Sequence, residues 1–169
     1  MKKKVFFRGP LLTRSGYGEQ SRFALRALQS RPDLFEIFIQ PLQWGKTSWI
    51  NENTIDRAWI DHTIEKTIAY VQQNGQYDAS FQVTIPNEWE RIAPVNIGYT
   101  AGIETTKVAA GWLQKGNEMD SIVVVSDHAR DSYKNTVYSG EHPQTKQQME
   151  LTLTTPIRTV NYPAKKFSY

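Results

Sequence analysis

The segment "GPLLTRSGYGEQSRFALRAL", from Gly9 to Leu28, contains the residue types that most directly suggest binding chemistry. Gly16 and Gly18 flank Tyr17 where a short apolar run gives way to helical spacing. Glycines let a ligand approach the backbone closely, and a helix N-terminus offers unpaired N–H groups and the positive end of its dipole. The loop therefore suits a phosphate group or a sugar hydroxyl. The alternative is that the glycines only form the turn from strand to helix, because an isolated G-x-G is a weak signal.

Two better-known phosphate-binding motifs fit this chain poorly. A dinucleotide fingerprint needs a third glycine where Ser21 stands, and the strand that ends at Gln40 supplies no acid for a ribose. The segment "WGKTS" resembles part of a P-loop, but it lacks the first glycine, and no helical pattern begins at Lys46. A dehydrogenase or a nucleotide triphosphatase is therefore disfavoured.

Glu104 and His128 are the candidate catalytic residues, because each follows a predicted strand. The Glu104 carboxylate can accept hydrogen bonds from sugar hydroxyls or act as a base, and its alternative role is to stabilise the start of a helix at Thr105. His128 has the alternative role of a polar residue in a first helical turn. No cluster of histidine, cysteine and carboxylate residues is evident, so the sequence predicts no metal site.

Tryptophans in predicted loops are further ligand candidates, since an indole can stack on a sugar ring. They are Trp44, Trp49 and Trp89. The alternative is that these side chains pack in the core, as large aromatic residues commonly do.

Predicted strands and helices alternate along the chain. The predicted strands are Lys4 to Gly9, Phe35 to Leu42, Tyr77 to Ile85, Val95 to Thr100, Ser121 to Ser126 and Pro156 to Pro163. The first helix places Phe23, Ala24, Ala27 and Leu28 on one face and ends at Pro32. The second, capped by Asn53, buries a stripe of Trp59, Ile60, Ile64, Ile68 and Val71. A third runs from about Thr105 to Met119, and a fourth starts from Ser126 or Asp127 as its N-cap.

This alternation predicts an open, mostly parallel α/β sheet. The polar stretch from Ser139 to Gln148 is predicted to be a surface loop. Ligands of such sheets bind beyond the carboxyl ends of the strands. The rule selects three loops, around Gly16 to Gly18, Thr100 to Glu104 and Ser126 to His128.

Composition indicates one globular domain over residues 1–169, with 39% hydrophobic and 22% charged residues. Its 20 basic and 17 acidic residues are interspersed, so no nucleic-acid partner is expected. The chain has no cysteine, which excludes disulfides and thiolate zinc sites and fits a cytoplasmic protein. We expect no signal peptide and no transmembrane segment, because the apolar runs are too short.

Several of these segments together resemble the N-terminal domain of GT-B glycosyltransferases of the retaining, group-1 type. They are the glycine-flanked Tyr17 with its helix, the stretch "YTAGIETTKVAAGWLQKGNEMDSIVVVSDHARDSY" and the segment "TPIRTVNYP". Residues that match the family pattern are Glu104, Trp112, Asn117, Asp120 and Ser126. Val125 departs from it by replacing a proline, and His128 stands where an aromatic residue is common.

The resemblance implies a Rossmann-like, doubly wound domain with helices on both faces, which would form the acceptor side of a glycosyltransferase. Gly16, Tyr17 and Gly18 would line the cleft beside the donor phosphates, while Thr100, Glu104 and His128 would face the acceptor or the reacting sugar. The implied substrate-binding residues are Gly16, Tyr17, Gly18, Thr100, Gly102 and Ser126.

The implied substrates are a nucleotide sugar and a glycan or other acceptor, with no cofactor. The family's donor-binding C-terminal domain would follow Pro163 and is not contained in the chain. We therefore expect weak or no activity from the chain alone, and activity when a separate donor-binding domain or chain completes it. The alternative is a non-catalytic α/β module that binds carbohydrate or protein.

Overall fold

A computed structural model describes residues 1–102 and 104–163 of the protein. Within these residues there are eight strands, four α-helices and one short 3-10 helix. The strands are β1 Lys3–Gly9, β2 Phe35–Pro41, β3 Ala79–Val83, β4 Val95–Thr100, β5 Ser121–Val124, β6 Tyr138–Glu141, β7 Gln148–Leu151 and β8 Ile157–Thr159. The α-helices are α1 Gly16–Gln29, α2 Ile55–Gln72, α3 Ala110–Asn117 and α4 Asp127–Asn135, and the 3-10 helix spans Pro86–Glu88.

Six strands form one sheet in the order β2-β1-β3-β4-β5-β8, and every neighbouring pair is parallel. Strand β2 lies on one side of β1 and β3 lies on its other side. The direction in which successive strands are added to the sheet therefore reverses between β1 and β3. This confirms the predicted α/β fold with a Rossmann-like, doubly wound sheet. No helix in the described residues is long and apolar enough to cross a membrane.

Two cores cover the two faces of the sheet. On one face, Phe7, Ile39 and Val83 pack with Leu25 of α1. Ala24 also belongs to this core and Leu28 packs against it, and the predicted face of Phe23, Ala24, Ala27 and Leu28 lines an apolar groove on the same side. On the opposite face the buried residues come from β5, β8, α3, α4 and the loop before β4, and they include Trp89, Leu113, Ile122, Val124, Tyr133 and Ile157.

Helix α2 lies along β2, one of the two outermost strands of the sheet. Thr67 is buried in the helix, and its Oγ1 accepts a hydrogen bond of 2.8 Å from the main-chain N–H of Ile39 in β2. This contact leaves Ile68 and Val71 more than half exposed, at 54% and 55%. The predicted buried stripe was therefore wrong at these two positions, because the helix turns a threonine toward the strand edge. Thr54, rather than Asn53, caps the helix.

The region between β4 and β8 also differs from the prediction. Helix α3 begins at Ala110, five residues later than predicted. Val108 is buried before it, and its N–H donates to Thr136 Oγ1, which fixes this stretch outside the helix. The predicted surface loop from Ser139 to Gln148 forms most of a hairpin, in which β6 pairs antiparallel with β7.

Candidate functional site

The carboxyl ends of β1, β3 and β4 meet where the sheet reverses its growth. Ligands of doubly wound sheets bind in the crevice at such a reversal. The loop from Pro10 to Ser15 and the start of α1 lie on one side of this edge, and the chain after Thr100 lies on the other. This edge is therefore the candidate site.

The two glycines beside Tyr17 have different roles. Gly18 is buried, and a Cβ on it would lie 2.2 Å from the carbonyl oxygen of Thr13. Its N–H donates to Oγ of Ser15, the N-cap of α1, over 3.0 Å. Gly18 is thus needed for the packing of the loop on the helix. Gly16 is exposed, and a Cβ there would meet no atom within 4 Å.

A cleft of about 550 Å³ opens at the start of α1. It is lined by Arg14, Ser15, Gly16, Glu19, Arg22, Ile50 and Glu52. Arg22 is held in place because its guanidinium donates to the carbonyl oxygens of Leu11 and Thr13 and pairs with Glu19. Arg14 pairs with Glu52 and Arg22 pairs with Glu19, so a carboxylate offsets each of the two arginines that border the cleft. The helix N-terminus is the feature of the cleft that favours an anionic group.

Tyr17 reaches from α1 across the edge of the sheet to the end of β4. Its hydroxyl shares a hydrogen bond of 2.8 Å with Thr100 Oγ1 and accepts the N–H of Ala101 at 3.3 Å. Its ring lies against Trp44, with centroids 4.5 Å apart. Burial raises the pKa of the Tyr17 phenol, and the hydrogen bonds with Thr100 and Ala101 partly oppose this shift. The hydroxyl therefore stays protonated at neutral pH.

Gly102 and Ser126 make contacts within the protein at this edge. Gly102 has a φ of +86°, and a Cβ on it would lie 2.6 Å from Cβ of Ala129. Ser126 is the N-cap of α4, and its Oγ accepts the N–H of Ala129 at 3.1 Å. Both residues thus position the start of α4 against the loop after β4. The proposed role of Gly102 and Ser126 in substrate binding stays a prediction.

Glu104 and His128 lie on exposed surface at the same edge. Glu104 precedes the start of α3 by several residues, so its alternative role at the first turn of that helix was wrong. His128 is in the first turn of α4, and its carbonyl oxygen accepts the hydroxyl of Ser132. The structure thus places both side chains in reach of solvent, and their proposed catalytic roles stay predictions.

The tryptophans divide into one core residue and two loop residues. Trp89 is fully buried, and its ring packs directly on Gly98 of β4, so the prediction that it contacts a ligand was wrong. Trp44 is half-buried against Tyr17, and Trp49 is 40% exposed beside Thr13 in the loop before α1. Trp44 and Trp49 thus remain near the candidate site.

Three buried polar side chains near the edge carried no recognisable sequence signal. Gln20, Thr84 and Tyr133 are fully buried, and Gln20 Nε2, Thr84 Oγ1 and the Tyr133 hydroxyl have no hydrogen-bond partner among the described residues. A single threonine or tyrosine has no spacing that marks it as functional. Thr84 directly follows Val83, which pairs with Tyr99, whereas Tyr133 packs in the core between α4 and the sheet.

Residues 1–102 and 104–163 contain no group of three or more histidine, cysteine, aspartate or glutamate residues arranged to hold a metal ion. The edge carries hydroxyls, backbone N–H groups and arginines, together with the carboxylates of Glu19, Glu52 and Glu104 and the imidazole of His128. Comparisons with known protein families, curated proteins and solved structures gave no match.

Proposed function

We propose that the chain is the acceptor-side domain of a GT-B glycosyltransferase, which transfers a sugar from a nucleotide-sugar donor when a donor-binding domain completes it. The observation that carries the proposal is the hydrogen bond between Tyr17 and Thr100 at the reversal of the sheet. It joins the glycine-flanked helix start and the loop after β4 into one surface. The fold and the sequence resemblance agree with this surface as half of a cleft.

The start of α1 supports the part of the proposal that concerns the donor phosphates. Gly16 leaves open space at the first turn of α1, and Arg14 and Arg22 border the adjacent cleft. A diphosphate there would meet N–H groups and the helix dipole, and it would replace Glu19 and Glu52 as the partner of the two arginines. Gly18 contributes by keeping the loop in place, because it packs on Thr13.

The residues at the ends of β4 and β5 support the part of the proposal that concerns the sugar acceptor. Glu104 is exposed on the loop after β4, and His128 is exposed at the start of α4. A carboxylate and an imidazole can each exchange protons with a sugar hydroxyl. The proposed substrates are thus a nucleotide sugar and a glycan or other hydroxyl acceptor, without a cofactor.

Thermal unfolding of the purified chain with nucleotide sugars and free glycans tests the proposal. A ligand at 100 times its Kd stabilises the folded state by about 2.7 kcal/mol. We expect glycans to raise the Tm, and a nucleotide sugar to raise it less, because most donor contacts belong to the domain that would complete the cleft. If no glycan and no nucleotide sugar changes the Tm, the proposal is wrong.

A protein-binding α/β module is the second candidate, and an apolar groove of about 440 Å³ favours it. The groove lies on the face of the sheet that carries α1 and is lined in part by Phe23, Leu28, Phe81, Tyr99 and Val123. Contiguous apolar surface of this kind commonly marks an interaction site. Sedimentation of the chain alone distinguishes the candidates: self-association that Phe81→Ser abolishes would favour the module.

A further inference from the structure

A cavity of about 340 Å³ lies at the opposite edge of the sheet from the candidate site. It opens between the start of β2, the end of α1 and the middle of α2. All strands of the sheet are parallel, so the start of β2 is at the amino edge, whereas the candidate site is at the carboxyl ends of β1, β3 and β4. The cavity is therefore separate from the proposed cleft, and its volume is that of a small-molecule site.

The wall that β2 contributes to this cavity carries a main-chain N–H group with no acceptor. Even-numbered residues of this stretch bond to β1, as the bond from Leu42 N–H to the carbonyl oxygen of Gly9 shows. Odd-numbered residues therefore direct their N–H groups to the outer margin, where Thr67 accepts that of Ile39. Ile37 lines the cavity, and no side chain or loop carbonyl in residues 1–102 and 104–163 accepts its N–H.

Two ammonium groups, from Lys2 and Lys66, line the same cavity. Lys66 Nζ lies 4.3 Å from the centre of the Phe38 ring and 3.9 Å from Glu36 Oε1, which is too far for a hydrogen bond. Burial lowers the pKa of the Lys66 ammonium, Glu36 opposes this shift and Lys2 adds to it. The charge of Lys66 is thus only partly compensated, and an anion near both lysines would stabilise it.

The rest of the cavity is aromatic and polar. Phe35 and Trp59 are half-buried against the first core, and both rings also line the cavity. Aromatic side chains of this kind offer a surface on which a flat ring can stack. Gln29 and His62 line the cavity as well, and neither side chain bonds to another residue in the described part of the chain. Glu36 is the one carboxylate among the described lining residues.

We propose that this cavity binds a small aromatic anion, with its carboxylate or phosphate group on Lys2, Lys66 and the N–H of Ile37 and its ring against Trp59. Lysine ammonium groups and a free main-chain N–H are donors that both kinds of anion accept. The anion replaces Glu36 as the nearest partner of Lys66. The site does not depend on the proposed function, since it uses none of the residues at the carboxyl edge.

Amide NMR of the parent chain tests the position of the ligand. The probes are benzoate and phenyl phosphate, and acetate and inorganic phosphate are the matched anions without a ring. We expect both aromatic anions to shift the amide signal of Ile37. The amide of Ile39 is the internal control, because Thr67 already accepts its N–H. The tighter of the two aromatic anions identifies the anionic group that the cavity prefers.

Four variants test the charges around the cavity. Lys66→Met should weaken the binding of the preferred aromatic anion by about tenfold, which is the effect of one lost bond to a charged group. Lys2 is exposed, so Lys2→Met should weaken it by about two- to threefold. Glu36→Gln removes the competing carboxylate and should strengthen it by about two- to threefold. Lys134→Met is the matched control at the exposed end of α4 and should leave the affinity unchanged.

Three results would overturn the site. If neither aromatic anion shifts the Ile37 amide at concentrations up to about 10 mM, the cavity does not bind this class of ligand. If acetate and inorganic phosphate bind as tightly as the aromatic anions, the ring has no place in the cavity and the proposal is wrong. If Lys66→Met and Lys134→Met weaken binding equally, the anions bind to general positive charge. Circular dichroism confirms that each variant is folded.

Discussion

Two groups of buried polar side chains lie around β3 and β4, a middle group within the two strands and a group at the edge, from the bend after β3 and from α4. In the middle group, Ser80, Gln82 and Asn96 bond to one another and to the loop before β4. In the group at the edge, Thr84 and Tyr133 have no partner in residues 1–102 and 104–163. The same residue chemistry is thus fully paired in one place and unpaired a few residues away.

The middle group has a structural purpose. β3 and β4 are adjacent parallel strands, and in place of an α-helix the segment between them contains the 3-10 turn Pro86–Glu88. Asn96 Oδ1 accepts hydrogen bonds from the N–H groups of Ile92 and Ala93, and its Nδ2 donates to the carbonyl oxygen of Ala93. Polar side chains therefore hold the connection between β3 and β4, whereas the other connections between strands of the sheet contain an α-helix.

The largest effect is expected from breaking the middle group. Asn96→Leu leaves two loop N–H groups and the hydroxyl of Ser80 without an acceptor, so the free energy of unfolding should fall by about 3 kcal/mol or more. Urea unfolding followed by circular dichroism measures the change. Asn117→Leu is the control, because Asn117 makes only two such bonds, to Thr152 and Thr154, and is half-buried.

The Asn117 variant should therefore lose about 1 to 2 kcal/mol. Equal losses for the two asparagines would show that the connection between β3 and β4 does not depend on the buried group.

The next largest effect separates the two glycines beside Tyr17. Gly18→Ala places a Cβ against the Thr13 carbonyl, so we expect the free energy of unfolding to fall by about 2 kcal/mol. Gly16→Ala has open space and a helical position, so we expect no loss and a gain of up to about 1 kcal/mol. Both are measured by urea unfolding. A destabilised Gly16 variant would contradict the assignment of free space at the helix start.

The smallest effect concerns the two tyrosines. Tyr138→Phe removes a hydrogen bond to Val108 and should lower the free energy of unfolding by about 1 kcal/mol. Tyr133→Phe removes a hydroxyl that is unpaired among the described residues, so it should be neutral or slightly stabilising without ligand. Thermal unfolding distinguishes them. A clear loss in the Tyr133 variant would mean that its hydroxyl is already satisfied in the free protein.

The sheet was largely predictable because parallel strands covered on both faces are strongly apolar. The run from Ile122 to Val125 shows this most clearly. The errors arose where a tertiary hydrogen bond decides the local structure. Thr67 binds the edge of β2 and turns Ile68 outward, and Thr136 holds Val108 outside α3. No local pattern contains these contacts.

The hairpin was missed for a related reason. Its strands are mainly exposed, so they lack the alternation of apolar and polar residues that marks a half-buried strand. It is attached to the second core through Tyr138, Leu151 and Leu153. At the candidate site, glycine spacing located the loop around Tyr17, whereas Thr84 and Tyr133 depend on strand pairing and helix packing for their position.

Helix α2 also determines how the sheet can grow. An outer strand with free N–H and carbonyl groups is a template for pairing with another chain, and so a route to aggregation. Here the Thr67 hydroxyl accepts the N–H of Ile39, and helix α2 packs along that margin of β2. Strand addition at the β2 margin would therefore require α2 to detach.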